Sequence, residues 1–122
     1  MSRARLGHRG EAIAAQYLQA QGYRVLACNW RRREGELDIV AIEGETLAFV
    51  EVKTRRTLTY GAAEESIDAR KQAQLARLAQ RFIAEHPNLR FRECRFDVVV
   101  VDMTVLPMQV RLYRNAFYPP EV

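Results

Sequence analysis

No run of apolar residues approaches the ~18 that a membrane-spanning helix needs, and Met1 to Gly10 is basic without the apolar segment of a secretory signal. The expectation is a cytoplasmic protein without a membrane partner. Cysteine and histidine are scarce as well. Cys28 and Cys94 form no CxxC pair, and His8 and His86 lie close to neither cysteine in sequence. That argues against a zinc site and against a disulfide framework. No repeat, low-complexity tract or linker divides the chain.

The 122 residues, 48% hydrophobic and 28% charged, suit one globular domain over 1–122 with one core. The net charge is +4, and the basic residues concentrate in the run Arg31, Arg32, Arg33 and in the pair Arg55, Arg56. Such clusters suit a polyanion, although a solvated basic surface looks the same from composition alone.

From Gly10 to Gln21, Ile13, Ala14, Tyr17 and Leu18 recur at helical steps, and Gly22 supplies a stop. Tyr23 to Trp30 reads as a strand that frays into a basic loop ended by Gly35. Glu36 to Ile42 and Leu47 to Lys53 read as antiparallel neighbours joined by Glu43-Gly44-Glu45-Thr46, where Gly44 suits the first central position of a type II′ turn. A second helix is expected from about Ala63 to Glu85, with Ile67, Leu75, Leu78, Phe82 and Ile83 on its apolar side and His86-Pro87-Asn88 closing it. Strands follow over Arg95 to Asp102 and Val110 to Phe117. The order helix, three strands, helix, two strands gives an α/β domain with one mixed sheet.

Alternation in the second strand places Glu36, Asp38, Val40 and Ile42 on one face and Leu37, Ile39 and Ala41 on the other. In the third strand Leu47, Phe49, Glu51 and Lys53 share a face. With Gly44 and Glu45 as central turn residues, Asp38 falls opposite Glu51 and Glu36 opposite Lys53. Paired Cβ atoms lie ~4.5 to 5.5 Å apart, so two carboxylates would repel on a largely apolar face. A hard cation such as Mg²⁺ resolves that conflict with oxygen ligands. Lys53, ~7 Å along the same face, could approach a phosphate or orient water. On spacing alone, an ordinary surface pair and a strand-end carboxylate explain the same residues.

The blocks Gly10-Glu11-Ala12, Gly35-Glu36-Leu37-Asp38, Phe49-Val50-Glu51-Val52-Lys53-Thr54-Arg55 and Arg95-Phe96-Asp97-Val98 occur in that order. Together they resemble the PD-(D/E)XK nuclease superfamily, and specifically the bacterial YraN family, which is similar to archaeal Holliday-junction resolvases. The similarity spans about Gly7 to Phe117. It implies a restriction-endonuclease-like domain whose central mixed sheet is flanked by helices. It also implies that Asp38, Glu51 and the Val52 carbonyl bind Mg²⁺ or Mn²⁺, with Lys53 positioning the water that hydrolyses a phosphodiester. Leu37 stands where the superfamily often has proline, a position that is not a ligand.

Further candidates surround these. Glu11 lies on the core-facing stripe of the first helix with Ala14, Ala15 and Leu18, so its carboxylate could reach the metal or its waters; a first-turn glutamate is the alternative. Lys71 interrupts the apolar stripe between Ile67 and Leu75 and either contacts phosphate or snorkels at the core edge. Glu36 would neutralise or orient Lys53. Arg95 and Asp97 would pair across one strand face. Arg31, Arg32, Arg33, Arg55 and Arg56 would contact nucleic-acid backbone, and Tyr60-Gly61 would form a base-stacking loop or a plain turn.

The leading expectation is a metal-dependent endonuclease acting on DNA, including branched, flapped or otherwise structured forms. A homodimer is expected only by analogy with branched-DNA nucleases. Two rivals are a non-catalytic nucleic-acid-binding protein that keeps the fold and a protein-interaction module whose charged cluster only caps the hairpin.

Overall fold

The computed structural model describes residues 3–56 and 67–119. Its elements are α1 (Arg3–Ala20), β1 (Arg24–Arg32), β2 (Gly35–Glu43), β3 (Thr46–Arg55), α2 (Ala69–Glu85), β4 (Glu93–Asp102) and β5 (Gln109–Tyr113). The strands form one sheet in the order β1-β2-β3-β4-β5, in which only β3 and β4 run parallel, joined by the crossover through α2. This is the mixed α/β single domain expected from the element order, and it is consistent with a restriction-endonuclease-like fold.

β3 is the middle strand, so both of its faces must be apolar. Phe49 and Leu47 join Val98 and Val100 of β4 in a core under α2, with Leu75, Leu78 and Phe82 from the helix. Ala48 and Val50 join Val99 and Val101 in a second core under Ala14 and Leu18 of α1. The four consecutive valines thus divide two and two between the helical layers, which explains why the sequence shows no polar alternation there.

Several boundaries differ from the sequence expectation. α1 begins at Arg3 rather than Gly10, so Glu11 is not in its first turn. The arginines do not fray: Arg31 pairs with Glu36 and Arg32 with Gly35, and the connection is the short turn Arg33-Glu34. Gly35, at φ +144°, opens β2 in a backbone conformation that side chains disfavour. α2 starts at Ala69 because Asp68 caps it, its carboxylate accepting the Lys71 amide at 2.9 Å. The earlier part of the expected helix, 63–66, and the Tyr60-Gly61 loop lie outside the described residues. β5 ends at Tyr113 rather than Phe117, turning at Asn115, whose φ is +56°.

The β2-β3 register is the one expected from the turn, from Glu43↔Thr46 to Ile39↔Val50, with Gly44 at φ +61°. The simple alternation of β2 fails, however. Leu37 packs with Val40 and Ile42 under α2, while Ile39 and Ala41 face α1. The phase changes between Leu37 and Val40, opposite Asn29 of β1, which adopts φ +53°. Trp30 follows the same change and packs under α2 against Phe82, ring centroids 5.3 Å apart.

Candidate functional site

Asp38 sits in the segment where β2 changes phase, just beyond the end of the β2-β3 ladder. Its Oδ2 accepts the Val52 backbone amide at 2.8 Å, so a side chain takes the place of a ladder carbonyl and the strands part there. Glu51 lies on the α2 side, 7% exposed, and meets Asp38 closely enough for the two carboxyls to share a hydrogen bond. A narrow crevice lined by Leu37, Phe49, Leu75 and Phe96 encloses the pair. The hairpin register expected Asp38 directly opposite Glu51. The two meet, although through parted strands rather than a regular cross-strand pair.

Two lysines face them. Lys53 Nζ and Lys71 Nζ each stand 3.8 Å from Glu51 Oε1, the first from β3 and the second from the opening turn of α2. Burial pushes the Glu51 carboxyl up to about 7, the nearby Asp38 charge adds to this, and the two lysines oppose it. Asp38 is also raised by burial, against the Val52 amide, which favours its anion.

Every side-chain donor at this point except the lysines is a carboxylate oxygen. Among the described residues no group of three or more His, Cys, Asp or Glu side chains converges. Two carboxylates completed by backbone oxygen, water and substrate phosphate is the donor set Mg²⁺ accepts, whereas zinc centres draw on nitrogen and sulfur. Packing the two carboxyls together in a narrow crevice raises the pKa of both, and a cation bound there would relieve that cost. The residues present therefore fit a hard divalent ion, which Asp38 and Glu51 would hold with the Val52 carbonyl as the backbone candidate.

The remaining candidates are placed as follows. Glu11 is half-buried on α1, and its charge, after burial itself, helps hold up the Cys28 thiol of β1. Glu36 does not stand opposite Lys53, because the ladder has ended; it pairs instead with Arg31 at 3.6 Å and adds negative potential at Asp38. Arg32 makes a forked contact with Glu85, at 2.8 Å from Nη2, and stacks over Trp30 at 4.0 Å. Arg31, Arg33 and Arg56 are exposed, and Arg55 is half-buried beside Asp102.

The Arg95–Asp97 pair forms at 2.8 Å and proves to be the middle of a larger network. Tyr23 Oη donates to Asp97 Oδ2 at 2.8 Å, the Asn115 amide donates to Oδ1 at 2.9 Å, and Arg95 and Arg114 both grip Glu43. This network ties the connection between α1 and β1, the end of β2, β4 and the turn after β5 together.

A second feature escaped the sequence reading. Beside Lys71 lies a cleft of about 520 Å³ lined by Glu34, Asp68, Arg70, Lys71, Gln74 and Arg77. Its signal was present, since positions 70, 74 and 77 share one helical stripe, but the apolar stripe drew the eye to the other face.

Comparison with known proteins places the chain. The model of "Uncharacterised protein family UPF0102" matches residues 10–101. A UPF0102 protein of Frankia casuarinae is 48% identical over 113 residues, covering 92% of this chain and 95% of that protein. One from Stutzerimonas stutzeri is 43% identical over 111 residues, 91% and 92% of the two chains. A third, from Symbiobacterium thermophilum, is 47% identical and covers 97% and 99%. With two-thirds of its length and more in common with proteins of that name, and with a family model spanning both carboxylates and both lysines, the chain belongs to the UPF0102 family, the YraN family of the sequence resemblance.

Proposed function

We propose that the protein is a divalent-metal-dependent endonuclease hydrolysing phosphodiester bonds in DNA. The observation that carries this reading is the meeting of Asp38 and Glu51 in a crevice with Lys53 and Lys71 both 3.8 Å from Glu51. Carboxylates alone would repel a phosphate; lysines alone would bind it without hydrolysis. The combination matches what in-line attack of water on a phosphodiester requires: sites for a cation, for the attacking water and for the developing negative charge.

Mg²⁺ or Mn²⁺ held by Asp38, Glu51 and the Val52 carbonyl would supply Lewis-acid stabilisation of the phosphoryl oxygens. Asp38, fixed by the Val52 amide, and Glu51, fixed between two lysines, form its rigid seat. Lys53 is on the same strand face as Glu51, where its ammonium orients water or meets a phosphate oxygen. Lys71 approaches from the other side of Glu51 and provides a second positive charge for substrate. Branched and flapped DNA are the substrates suggested by the resemblance to junction resolvases.

The test is cleavage of labelled linear, single-stranded, flapped and four-way DNA with Mg²⁺ or Mn²⁺. Wild type is expected to cut at least one form, and Glu51→Gln and Lys53→Ala to lose at least ~10²-fold in rate with folding retained. Binding of DNA without cleavage of any form would replace this reading by a non-catalytic nucleic-acid-binding protein.

A further inference from the structure

The cleft beside Lys71 has no role in the site described above, yet its walls are unusual. Arg70, Gln74 and Arg77 lie at helical positions i, i+4 and i+7, so they form one stripe along α2 that starts next to Lys71. Arg70 and Arg77 are exposed and make no ion pair among the described residues. The two acids of the cleft are committed elsewhere. Asp68 caps α2 through the Lys71 amide, and Glu34 is bound by Arg81. With Glu34 paired to Arg81 and Lys71 to Glu51, the cleft presents two unpaired arginines on one helical stripe, with Asp68 at its start.

Its shape is held rigidly. Gln74 Nε2 donates to the Glu34 carbonyl at 2.7 Å, which latches the β1-β2 turn to α2. A Cβ on Gly35 would lie 2.6 Å from that same nitrogen, so the glycine is what lets the turn close on the helix. Among the described residues the lining of the cleft is charged or polar and contains no aromatic side chain. Exposed guanidinium groups of this kind suit backbone phosphate.

Resting on the nuclease reading of Asp38 and Glu51, we infer that this cleft is the track for the DNA strand leaving the scissile phosphate, with Lys71 at the junction and Arg70 and Arg77 on separate phosphates further along it. From position 70 to 77 the helix rises about 10 Å. A duplex strand carries one phosphate per ~3.4 Å of axis, so the stripe spans two to three of them. Recognition of this kind sets position and affinity without sequence preference.

The experiment measures binding of a labelled flapped DNA in EDTA, by anisotropy across a salt series, for wild type, Arg70→Ala/Arg77→Ala and Arg90→Ala, the last an exposed arginine beyond α2. The double variant is expected to flatten the plot of log Kd against log salt by about 1 per arginine, while Arg90→Ala leaves the slope as in wild type. Retention of the wild-type slope by the double variant, or an equal loss with Arg90→Ala, overturns the track. Cleavage by the same proteins in Mg²⁺ tests the separate reading: if wild type cuts nothing, the nuclease assignment fails whatever the slopes do, and if it cuts while the slope is unmoved, only the track fails.

Discussion

Glu51 is the most deeply buried carboxylate of the proposed site, and its titration offers a direct check. Its folded pKa of about 7 lies above the ordinary 4.5, chiefly from burial. The native state therefore holds this proton more tightly than the unfolded chain. The resulting stability is fully present below pH 4.5 and is lost as pH rises from 4.5 through 7, by roughly 3 kcal/mol. Metal-free wild type should thus weaken across that window in denaturant titrations, Glu51→Gln should weaken less because only Asp38 remains to titrate, and near neutrality the variant should be the more stable of the two. Added Mg²⁺ should raise the wild-type midpoint by mass action and leave that of Glu51→Gln unmoved. A variant less stable than wild type at pH 7.5 without metal would show that the two lysines outweigh burial. Asp38→Asn keeps an oxygen to accept the Val52 amide, so it should fold normally and lose the metal response.

At the scale of elements, the site depends on two close approaches to the sheet. Gly10 of α1 lies against Thr54 of β3, and a Cβ there would come 2.1 Å from the Thr54 hydroxyl oxygen. Gly10→Ala should therefore push α1 from the strand that carries Glu51 and Lys53, costing ~1 to 3 kcal/mol. Gly10→Ala/Thr54→Ala should recover part of this, a coupling that a double-mutant cycle by chemical denaturation measures. Gly35→Ala combines a disfavoured φ of +144° with a clash at Gln74 and should also cost ~1 to 3 kcal/mol. Additive behaviour at Gly10 and Thr54 would refute the contact.

Across the whole molecule, the network around Asp97 joins residues from the connection before β1, the end of β2, β4 and the turn after β5. Asp97 is fully buried, and Arg95, Tyr23 and the Asn115 amide satisfy it. Removing Arg95 leaves a buried carboxylate without its cation, so Arg95→Ala should cost ~3 to 5 kcal/mol. Glu43 is held down to about 2 by hydrogen bonds from Arg114 and Arg95, with burial opposing. Here the sign is reversed: the stabilisation is present above pH 4.5 and is lost as pH falls toward 2. The stability gap between wild type and Glu43→Gln should accordingly close over pH 4.5 to 2. A gap that persists at pH 2 would mean that Glu43 acts by packing rather than by charge.

Much of this was legible in residue order because it rests on local rules. Gly44 in a two-residue turn sets the β2-β3 register, and that register brings Asp38 and Glu51 to the same end of the hairpin. Helical periodicity marked α1 and α2, and four valines in a row marked the strand β4. Motif resemblance pointed to Asp38, Glu51 and Lys53. What tertiary structure alone decided concerns residues far apart in the chain. The phase change at Leu37 to Val40 depends on the backbone of Asn29 across the sheet. Lys71 reaches Glu51 only because α2 crosses over the sheet between parallel strands, and Arg32 meets Glu85 for the same reason. Periodicity reports which face of an element is apolar; it carries no information about which distant polar groups will meet once those faces are buried, and that meeting made the site.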